Sequence, residues 1–314
     1  MIVGVGFGIL ACMIWGFVYI APLILSAYDP GLIALGRYFV FGLFSLGVAL
    51  FQIKEYRHYS REDWIRSIVL GIIGNAFYYY LLVEACQRAG AAVTGAFTAM
   101  IPITVGLIGN WRAKQQNLRY IGWKALCPSL LLILVGMICL NVTEFVYLVE
   151  SGRQTTGNFW FGVAIAFFSL FIWTWYPISH GEWLLKHPQR SAQAWATAQG
   201  FTVLPVAALG LLYYLQKVEN VVALLEPTPI VFIVVTLVLA IVTSYAGNLC
   251  WTYMSQRVPA SLGGQMIIFE TLFAIIYTYL WRGEWPSGLM CTGMAFLFVG
   301  ILCALYAFRE GDVK

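Results

Sequence analysis

Long apolar stretches alternate with short polar segments along the whole chain. Ten of these stretches are close to the roughly 20 residues that an α-helix needs to cross a bilayer. They cover residues 2–25, 31–52, 66–86, 91–111, 125–141, 159–179, 193–216, 230–254, 260–281 and 288–308. Each stretch is continuously apolar and does not alternate, which argues against transmembrane β-strands. The pattern predicts an all-α integral membrane protein with ten transmembrane helices.

The composition agrees with this pattern. Of the 314 residues, 61% are hydrophobic and only 10% are charged, against roughly 25% charged residues in soluble domains. So little polar surface cannot cover a water-exposed globule of this size. We interpret the first stretch as helix one, because it is longer than a signal-peptide core and no small-residue cleavage site follows it.

Basic residues are distributed unevenly between the polar segments. Ten helices place both termini on one side of the membrane. If that side is the cytoplasm, the inner segments carry Lys54, Arg57, Arg61, Arg66, Arg112, Lys114, Arg119, Lys124, Lys186, Arg190, Arg257, Arg309 and Lys314. The outer segments then carry Arg88, Arg153, Lys217 and Arg282. This bias predicts that both termini are cytoplasmic, and it accounts for the net charge of +4 without a nucleic-acid partner.

The two halves of the sequence share short patterns at matching positions. Helices three and eight share a motif made of Gly74, Asn75, Tyr78 and Tyr80 in one and Gly247, Asn248, Trp251 and Tyr253 in the other. Further pairs are Gln87-Arg88 with Gln256-Arg257, and Gly4 and Trp15 with Gly162 and Trp173. Five is an odd number, so a second copy of five helices enters the membrane inverted. We predict two inverted five-helix repeats, 1–145 and 155–314, which form one transport unit.

Several local patterns are similar to those of a known family. They are Trp15-Gly16, Leu35-Gly36-Arg37-Tyr38-Phe39, Ile101-Pro102, and Phe269-Glu270 followed by Gly283-Glu284. Together with the five-plus-five helices they resemble the EamA-type branch of the drug/metabolite transporter superfamily, and most of all its YddG-type exporters of aromatic and other neutral amino acids. The chain departs from the pattern at Thr271, where the family usually has proline, and at Trp195, where symmetry suggests arginine. The resemblance implies an inner-membrane exporter that works by alternating access and uses no cofactor.

The resemblance also implies which helices line a central cavity, namely one, three, four, six, eight and nine. The candidate substrate-binding residues on them are Trp15, Tyr19, Asn75, Tyr78, Tyr79, Trp173, Trp175, Asn248, Trp251, Gln265, Phe269 and Glu270. Their rings can bury an apolar side chain, and their amides can hydrogen-bond an α-amino or α-carboxylate group. The alternative is structural, because tryptophan and tyrosine also anchor helices at the membrane interface and asparagine also links helices together.

Two of the charged residues and two of the prolines inside the predicted helices are candidates for a functional role. Glu270 can bind a substrate amine, carry a coupling proton or brace its helix, whereas Arg37 lies on a helix that is not expected to line the cavity. The scarcity of cations argues against sugar phosphates as substrates. Pro102, in the middle of predicted helix four, and Pro177 are candidate gating hinges, with a static kink as the alternative.

Other functional classes find less support. The sequence has no H-E-x-x-H or G-x-S-x-G motif, and its three histidines lie in or near predicted cytoplasmic segments, so we predict neither an enzyme nor a metal site. A channel would usually assemble symmetrically around one pore, whereas a fused repeat forms a pathway within one chain. We therefore predict a functional monomer that transports amino acids. The alternative is a multidrug, aromatic-cation or other metabolite exporter of the same superfamily.

Overall fold

The computed structural model describes residues 2–89, 94, 97–98, 100–117, 120, 122–150, 159–217, 225–258 and 260–309. These residues contain helices and no β-strand. The principal helices, labelled α1 to α10, are Ile2–Tyr19, Pro30–Tyr56, Arg61–Ala89, Ile101–Gln115, Trp123–Glu150, Phe159–Lys186, Ala192–Leu215, Pro229–Ser255, Ala260–Arg282 and Gly288–Arg309. Each lies at the place of a predicted helix.

Eight of these helices, all except α4 and α10, are long and apolar enough to cross a membrane. The described part of α4 has 15 residues, and the apolar part of α10 is the shorter segment Gly288–Ala304. The start of predicted helix four, including residues 91–93, lies outside the described residues. The all-helical multi-pass prediction is confirmed, and the count of ten membrane spans stays a prediction.

Polar side chains cap the starts of several helices. The Asp29 carboxylate accepts hydrogen bonds from the backbone N–H groups of Gly31 and Leu32 at the start of α2. Ser60 and Asp63 form a capping box at the start of α3, in which each side chain accepts the other residue's backbone N–H. These caps satisfy backbone donors that have no partner within the helix. They explain why the helices start within a few residues of the predicted positions.

Helices α3 and α8 share an irregularity that the sequence did not predict. Both contain a π-helical segment, Leu70–Phe77 in α3 and Val238–Ala246 in α8. The first contains the Gly74-Asn75 motif, and the second ends immediately before Gly247. The Asn75 side chain donates to the Leu70 carbonyl oxygen at 3.1 Å. The wider π turns therefore occur at related places in the two halves.

The helices pack in a pattern that is the same for both halves. Helix α2 contacts α7, α4 contacts α9, and α5 contacts α10. Helix α1 lies against α8 and α9, while α6 lies against α3 and α4. Exchanging each helix of these pairs for its counterpart five places along the chain gives the same pairs. Most of the buried core consequently lies between the halves.

Two glycines allow the close approach of α1 to α8 and of α6 to α3. A Cβ atom on Gly4 would lie 2.8 Å from the Arg257 Cβ, and one on Gly162 would lie 2.8 Å from the Arg88 Cβ. Neither distance is compatible with a side chain. Gly4 with Arg257 and Gly162 with Arg88 therefore form matching contacts in the two halves.

Two details differ from the sequence-based expectations. Pro102 is the second residue of α4 and lies in its first turn, where a proline removes no helical hydrogen bond, so it makes no mid-helix break in the described helix. Helix α6 continues to Lys186, past the predicted end at 179, and buries His180 completely. The polar stretch after His180 is accommodated because Glu182 pairs with Arg112 at 3.1 Å.

Candidate substrate-binding site

A small cavity lies at the centre of the helix assembly, where the two halves meet. It is lined by Trp15, Val18, Arg37, Tyr38, Asn75, Tyr78, Tyr79, Leu82, Trp173, Thr243, Ser244 and Glu270. These residues come from α1, α2, α3, α6, α8 and α9. The cavity volume is about 30 Å³, which is room for about two water molecules. In this conformation the rings around the cavity fill most of the space.

Half of the predicted substrate-binding residues lie on the cavity wall. They are Trp15, Asn75, Tyr78, Tyr79, Trp173 and Glu270. The sequence indicated them because polar and aromatic side chains at helical spacing lie on one face of a helix. The structure brings these six together from four helices, α1, α3, α6 and α9.

Stacked aromatic rings form one side of the cavity. Tyr78 and Trp173 are parallel, with ring centroids 4.4 Å apart and planes 10° from each other. Trp15 meets Trp173 nearly edge-on at 5.8 Å, and its indole N–H donates to the Thr243 carbonyl oxygen at 2.9 Å. The packing holds the rings in fixed orientations, which suits them to bind a flat or apolar group.

Glu270 is a carboxylate inside this aromatic wall. It is 6% exposed, and its Oε1 accepts a hydrogen bond from the Tyr19 hydroxyl at 3.1 Å. Its Oε2 atom is buried and has no hydrogen-bond partner among the described residues. A buried carboxylate oxygen without a donor is costly, so this atom is available to a donor on a bound solute.

Arg37 lines the cavity, although the sequence placed it on a helix outside the expected lining. Its Nε donates to the Ser244 hydroxyl at 2.8 Å, and its guanidinium carbon lies 4.1 Å from the centroid of the Tyr79 ring. A signal was present in the sequence, because charges within membrane helices usually face the interior of the bundle. The other lining residues that the sequence missed are Val18, Tyr38, Leu82, Thr243 and Ser244.

Three predicted residues lie directly behind the wall. Tyr19 holds Glu270, as described, and Trp251 packs against Trp15 with ring centroids 5.1 Å apart. Asn248 reaches the cavity through Tyr176, whose hydroxyl lies 3.1 Å from the Asn248 Oδ1. The Tyr176 ring stacks on Trp173 at 5.1 Å. Asn248 thus supports the ring of a lining residue.

The remaining predicted residues lie away from the cavity wall. Gln265 accepts a hydrogen bond from Ser129 of α5 at 3.2 Å, and Phe269 packs against Phe298 of α10. Trp175 is half-buried, on a face of α6 that does not line the cavity. Pro177 is buried inside α6. The roles assigned to these residues and to Pro102 stay predictions.

A second, apolar cavity of about 350 Å³ lies between α2, α3 and α7. Its walls include Ile72, Phe77, Val203 and Val206. Tyr38 lines this cavity as well as the central one. The Tyr38 ring therefore lies at the boundary between a polar and an apolar space.

The functional groups of the central cavity are suited to binding a solute. The cavity presents a guanidinium, a carboxylate, an amide, hydroxyl groups and aromatic rings. Among the described residues, no group of three or more His, Cys, Asp or Glu side chains could hold a metal ion. The buried His180 lies beside Thr252, with 3.4 Å between its Nε2 and the Thr252 hydroxyl. The groups that line the central cavity can recognise a small polar solute by charge and shape.

Comparisons with known proteins agree with the helical architecture. The sequence model of the EamA-like transporter family matches residues 2–142. The inner membrane protein YtfF of Escherichia coli (strain K12) is 33% identical over 317 aligned positions, covering 99% of this chain and 97% of YtfF. A solved crystal structure with 17% sequence identity covers 98% of both chains with a TM-score of 0.70, which shows the fold alone. The relative and the apolar helices support an inner-membrane location. The chain belongs to the EamA-like transporter family of the drug/metabolite transporter superfamily and is a multi-pass membrane transporter.

Proposed function

We propose that the protein exports small neutral or zwitterionic solutes, with aromatic and other neutral amino acids as its main substrates. The observation that carries this proposal is the central cavity between the two halves. Its walls combine aromatic rings with one carboxylate, Glu270, and one guanidinium, Arg37. Aromatic rings suit an apolar side chain, and a site with one charge of each sign suits a solute without net charge.

The packing supports a transport mechanism based on two inverted repeats, 1–145 and 155–314. The principal helix pairs described above keep their pattern when the halves are exchanged, and the Gly4–Arg257 and Gly162–Arg88 contacts match. Two similar halves can exchange inward-open and outward-open shapes at a small energetic cost. We propose ten membrane spans with both termini in the cytoplasm, as the distribution of basic residues indicates, and a functional monomer.

Interactions beyond the two ends of the cavity support an occluded state. Arg190 pairs with Asp63 near the start of α3, which is the cytoplasmic end in the proposed orientation. Beyond the opposite end, the Tyr214 hydroxyl donates to Asp29 and the Tyr28 hydroxyl donates to the Leu225 carbonyl oxygen at 2.7 Å. Alternating access would break one set of contacts at a time.

The aromatic wall is also the reason to propose YddG-like specificity for aromatic and other neutral amino acids. A specific observation favours a second candidate, a multidrug exporter of aromatic cations. The unpartnered Oε2 of Glu270 lies in a cavity walled by Trp15 and Trp173, and a cation gains roughly 0.5–2 kcal/mol on the face of such rings. Arg37 in the same cavity opposes a cation, so this candidate ranks second.

Flux into liposomes that contain the purified protein tests the proposal. The panel consists of labelled neutral amino acids, aromatic cations and sugar phosphates. We expect saturable flux of the neutral amino acids, with little flux of the other two classes. Flux of aromatic cations alone would transfer the protein to the multidrug class, and flux of sugar phosphates alone would reject both candidates.

Two tryptophan variants test whether the solute passes through the central cavity. Trp15→Ala removes a ring from the cavity wall and is expected to abolish flux. Trp160→Ala is the matched control, because Trp160 is exposed on the outer surface of α6. Flux equal to that of the parent protein in Trp15→Ala, at a normal amount of folded protein, would mean that the central cavity is not the route.

A further inference from the structure

Arg37 is a buried cation with unused binding capacity. Its side chain lies in the centre of the helix assembly and is 5% exposed. Ser244 accepts a hydrogen bond from Nε, and the rings of Tyr79 and Tyr38 lie within 4.1 Å and 5.3 Å of the guanidinium carbon. No carboxylate among the described residues lies within ion-pair distance of Arg37. Among the described residues, one hydroxyl and two aromatic rings therefore surround the positive charge, and no carboxylate contacts it.

Glu270 is a buried carboxylate that likewise has unused binding capacity. One of its oxygens accepts the Tyr19 hydroxyl hydrogen bond, and the other has no partner among the described residues. It forms no ion pair within the described part of the chain, although it lines the same cavity as Arg37. The two opposite charges face one space and do not neutralise each other by contact.

This arrangement selects for a particular ligand charge. A buried charge that lacks a partner is unfavourable, and a ligand of opposite sign relieves that cost. A simple anion would relieve only Arg37, and a simple cation would relieve only Glu270. A molecule that carries both a carboxylate and an ammonium group relieves both at once, and the loaded site has no net charge. The two charges of the cavity are thus complementary to those of a zwitterion.

We propose that Arg37 binds the α-carboxylate and Glu270 binds the α-ammonium group of a neutral amino acid. This assignment rests on the proposed transport function and deepens it by giving each pole of the substrate a partner. Arg37 comes from the first half of the chain and Glu270 from the second, so the bound amino acid connects the two halves. Tyr38 lies beside Arg37 on the wall of the apolar cavity, which places an apolar space near the substrate side chain.

Binding measurements with three related ligands test the assignment. Isothermal titration calorimetry on the purified protein compares phenylalanine, phenylalaninamide, which lacks the carboxylate, and 3-phenylpropionate, which lacks the amine. We expect phenylalanine to bind about 10- to 100-fold more tightly than either analogue, because each analogue loses one charge-assisted hydrogen-bonded contact. Equal binding of all three, or no binding of phenylalanine or any other neutral amino acid, overturns the proposal.

Two substitutions test which residue binds the carboxylate and which binds the ammonium group of the substrate. Arg37→Gln should weaken phenylalanine binding about 10- to 100-fold and should not weaken the binding of phenylalaninamide, a cation that Arg37 repels. Glu270→Gln should weaken phenylalanine binding by a similar factor and should not weaken the binding of 3-phenylpropionate, an anion that Glu270 repels. A uniform loss for all three ligands would mean that these residues act only on the fold. If Arg37→Gln does not fold, Arg37→Lys retains the charge and should retain the preference for phenylalanine over its amide.

Matched controls come from the charge pair at the far end of α3. Arg88 and Glu84 are paired with each other and do not line the cavity, so Arg88→Gln and Glu84→Gln should bind phenylalanine as the parent protein does. Binding does not depend on flux, so the two proposals can fail separately. Charge-selective binding without flux in liposomes would reject transport and keep the site. Amino-acid flux without charge selectivity would keep transport and reject the assignment.

Discussion

Asn75 and Asn248 occupy the same position of the repeated motif but make different bonds. The Asn75 side chain donates within its own helix, to the Leu70 carbonyl oxygen. The Asn248 side chain accepts from Tyr176 of the neighbouring helix α6. The same residue type thus satisfies a wide π turn in one half and links two helices in the other.

We expect Asn248→Ala to reduce transport without unfolding the protein. The substitution removes a partner of the Tyr176 hydroxyl, which still has Gln199 Oε1 at 3.2 Å, so the loss in stability should be about 1 kcal/mol. The Tyr176 ring would lose part of its constraint, and the Trp173 ring that it stacks against would be less well fixed. Substrate affinity in the liposome assay should fall by several-fold at normal protein abundance.

Asn141→Ala is the control for this variant. The Asn141 side chain donates to the Met137 carbonyl oxygen within α5 at 2.9 Å, away from the cavity. Flux equal to that of the parent protein is expected. If Asn248→Ala also transports like the parent, Asn248 serves only to hold helices together.

At the residue scale, the sequence predicted which types of residue line the cavity better than it predicted where each side chain points. Trp15, Tyr78 and Trp173 were found because aromatic residues recur at matching positions in the halves. Gln265 and Phe269 point elsewhere because each residue advances an α-helix by about 100°, and the rotation of α9 about its axis depends on its packing against α5 and α10. Arg37 was missed because the lining helices were taken from a family resemblance. The cost of a charge inside the membrane already indicated that this side chain faces the interior of the bundle.

At the element scale, glycines decide how closely the helices cross at the cavity. A Cβ atom on Gly74 of α3 would lie 2.1 Å from the ring of Tyr176, and one on Gly247 of α8 would lie 2.5 Å from the Trp15 Nε1. Both glycines belong to the repeated motif. Each one allows an aromatic ring of the crossing helix to lie against the backbone.

We expect Gly74→Ala to destabilise the protein and to impair transport. The new methyl group would displace the Tyr176 ring, and overpacking of this kind usually costs about 1–3 kcal/mol. Thermal unfolding of the purified protein, followed by intrinsic fluorescence, measures the effect. Gly47→Ala in α2 is the control, because a Cβ there meets nothing within 4 Å, and it should leave stability unchanged or slightly higher. A Gly74→Ala variant as stable as Gly47→Ala would contradict the packing described here.

Helix positions were predictable, and their internal irregularities were not. The apolar runs predicted the helix starts to within a few residues in most cases. Helix α6 ends later than expected, since the sequence alone does not show that Arg112 would neutralise Glu182. The π-helical segments depend on the hydrogen-bond register of the backbone, which has no clear counterpart in residue composition.

At the scale of the whole molecule, one ion pair connects several parts of the chain. Arg190, in the segment between α6 and α7, pairs with the fully buried Asp63 of α3, with 3.2 Å between Nε and Oδ1. Arg190 also donates to the His58 carbonyl oxygen at 2.8 Å, and its own carbonyl oxygen accepts from Gln256, the residue that follows α8, at 2.8 Å. These bonds tie both halves together at one end of the molecule.

We expect Arg190→Ala to cost about 3–5 kcal/mol, because it leaves the buried Asp63 carboxylate without a counter-charge. The double variant Asp63→Asn/Arg190→Gln should be more stable than Arg190→Ala, since it leaves no uncompensated charge. Thermal unfolding of the purified proteins checks both expectations. Arg66→Ala is the control, because Arg66 and Glu62 form an exposed pair at 4.0 Å, which contributes about 0–1 kcal/mol. Equal stability of Arg190→Ala and Arg66→Ala would show that the buried pair does not brace the fold.

The small volume of the central cavity bears on the electrical behaviour of the membrane. A space for about two water molecules is too small for a continuous column of water. A sodium or potassium ion would have to give up most of its hydration shell to enter, at a large electrostatic cost. In the proposed occluded state, a membrane that carries many copies of this transporter should therefore remain an insulator, and the ion gradients across it should not leak through the protein.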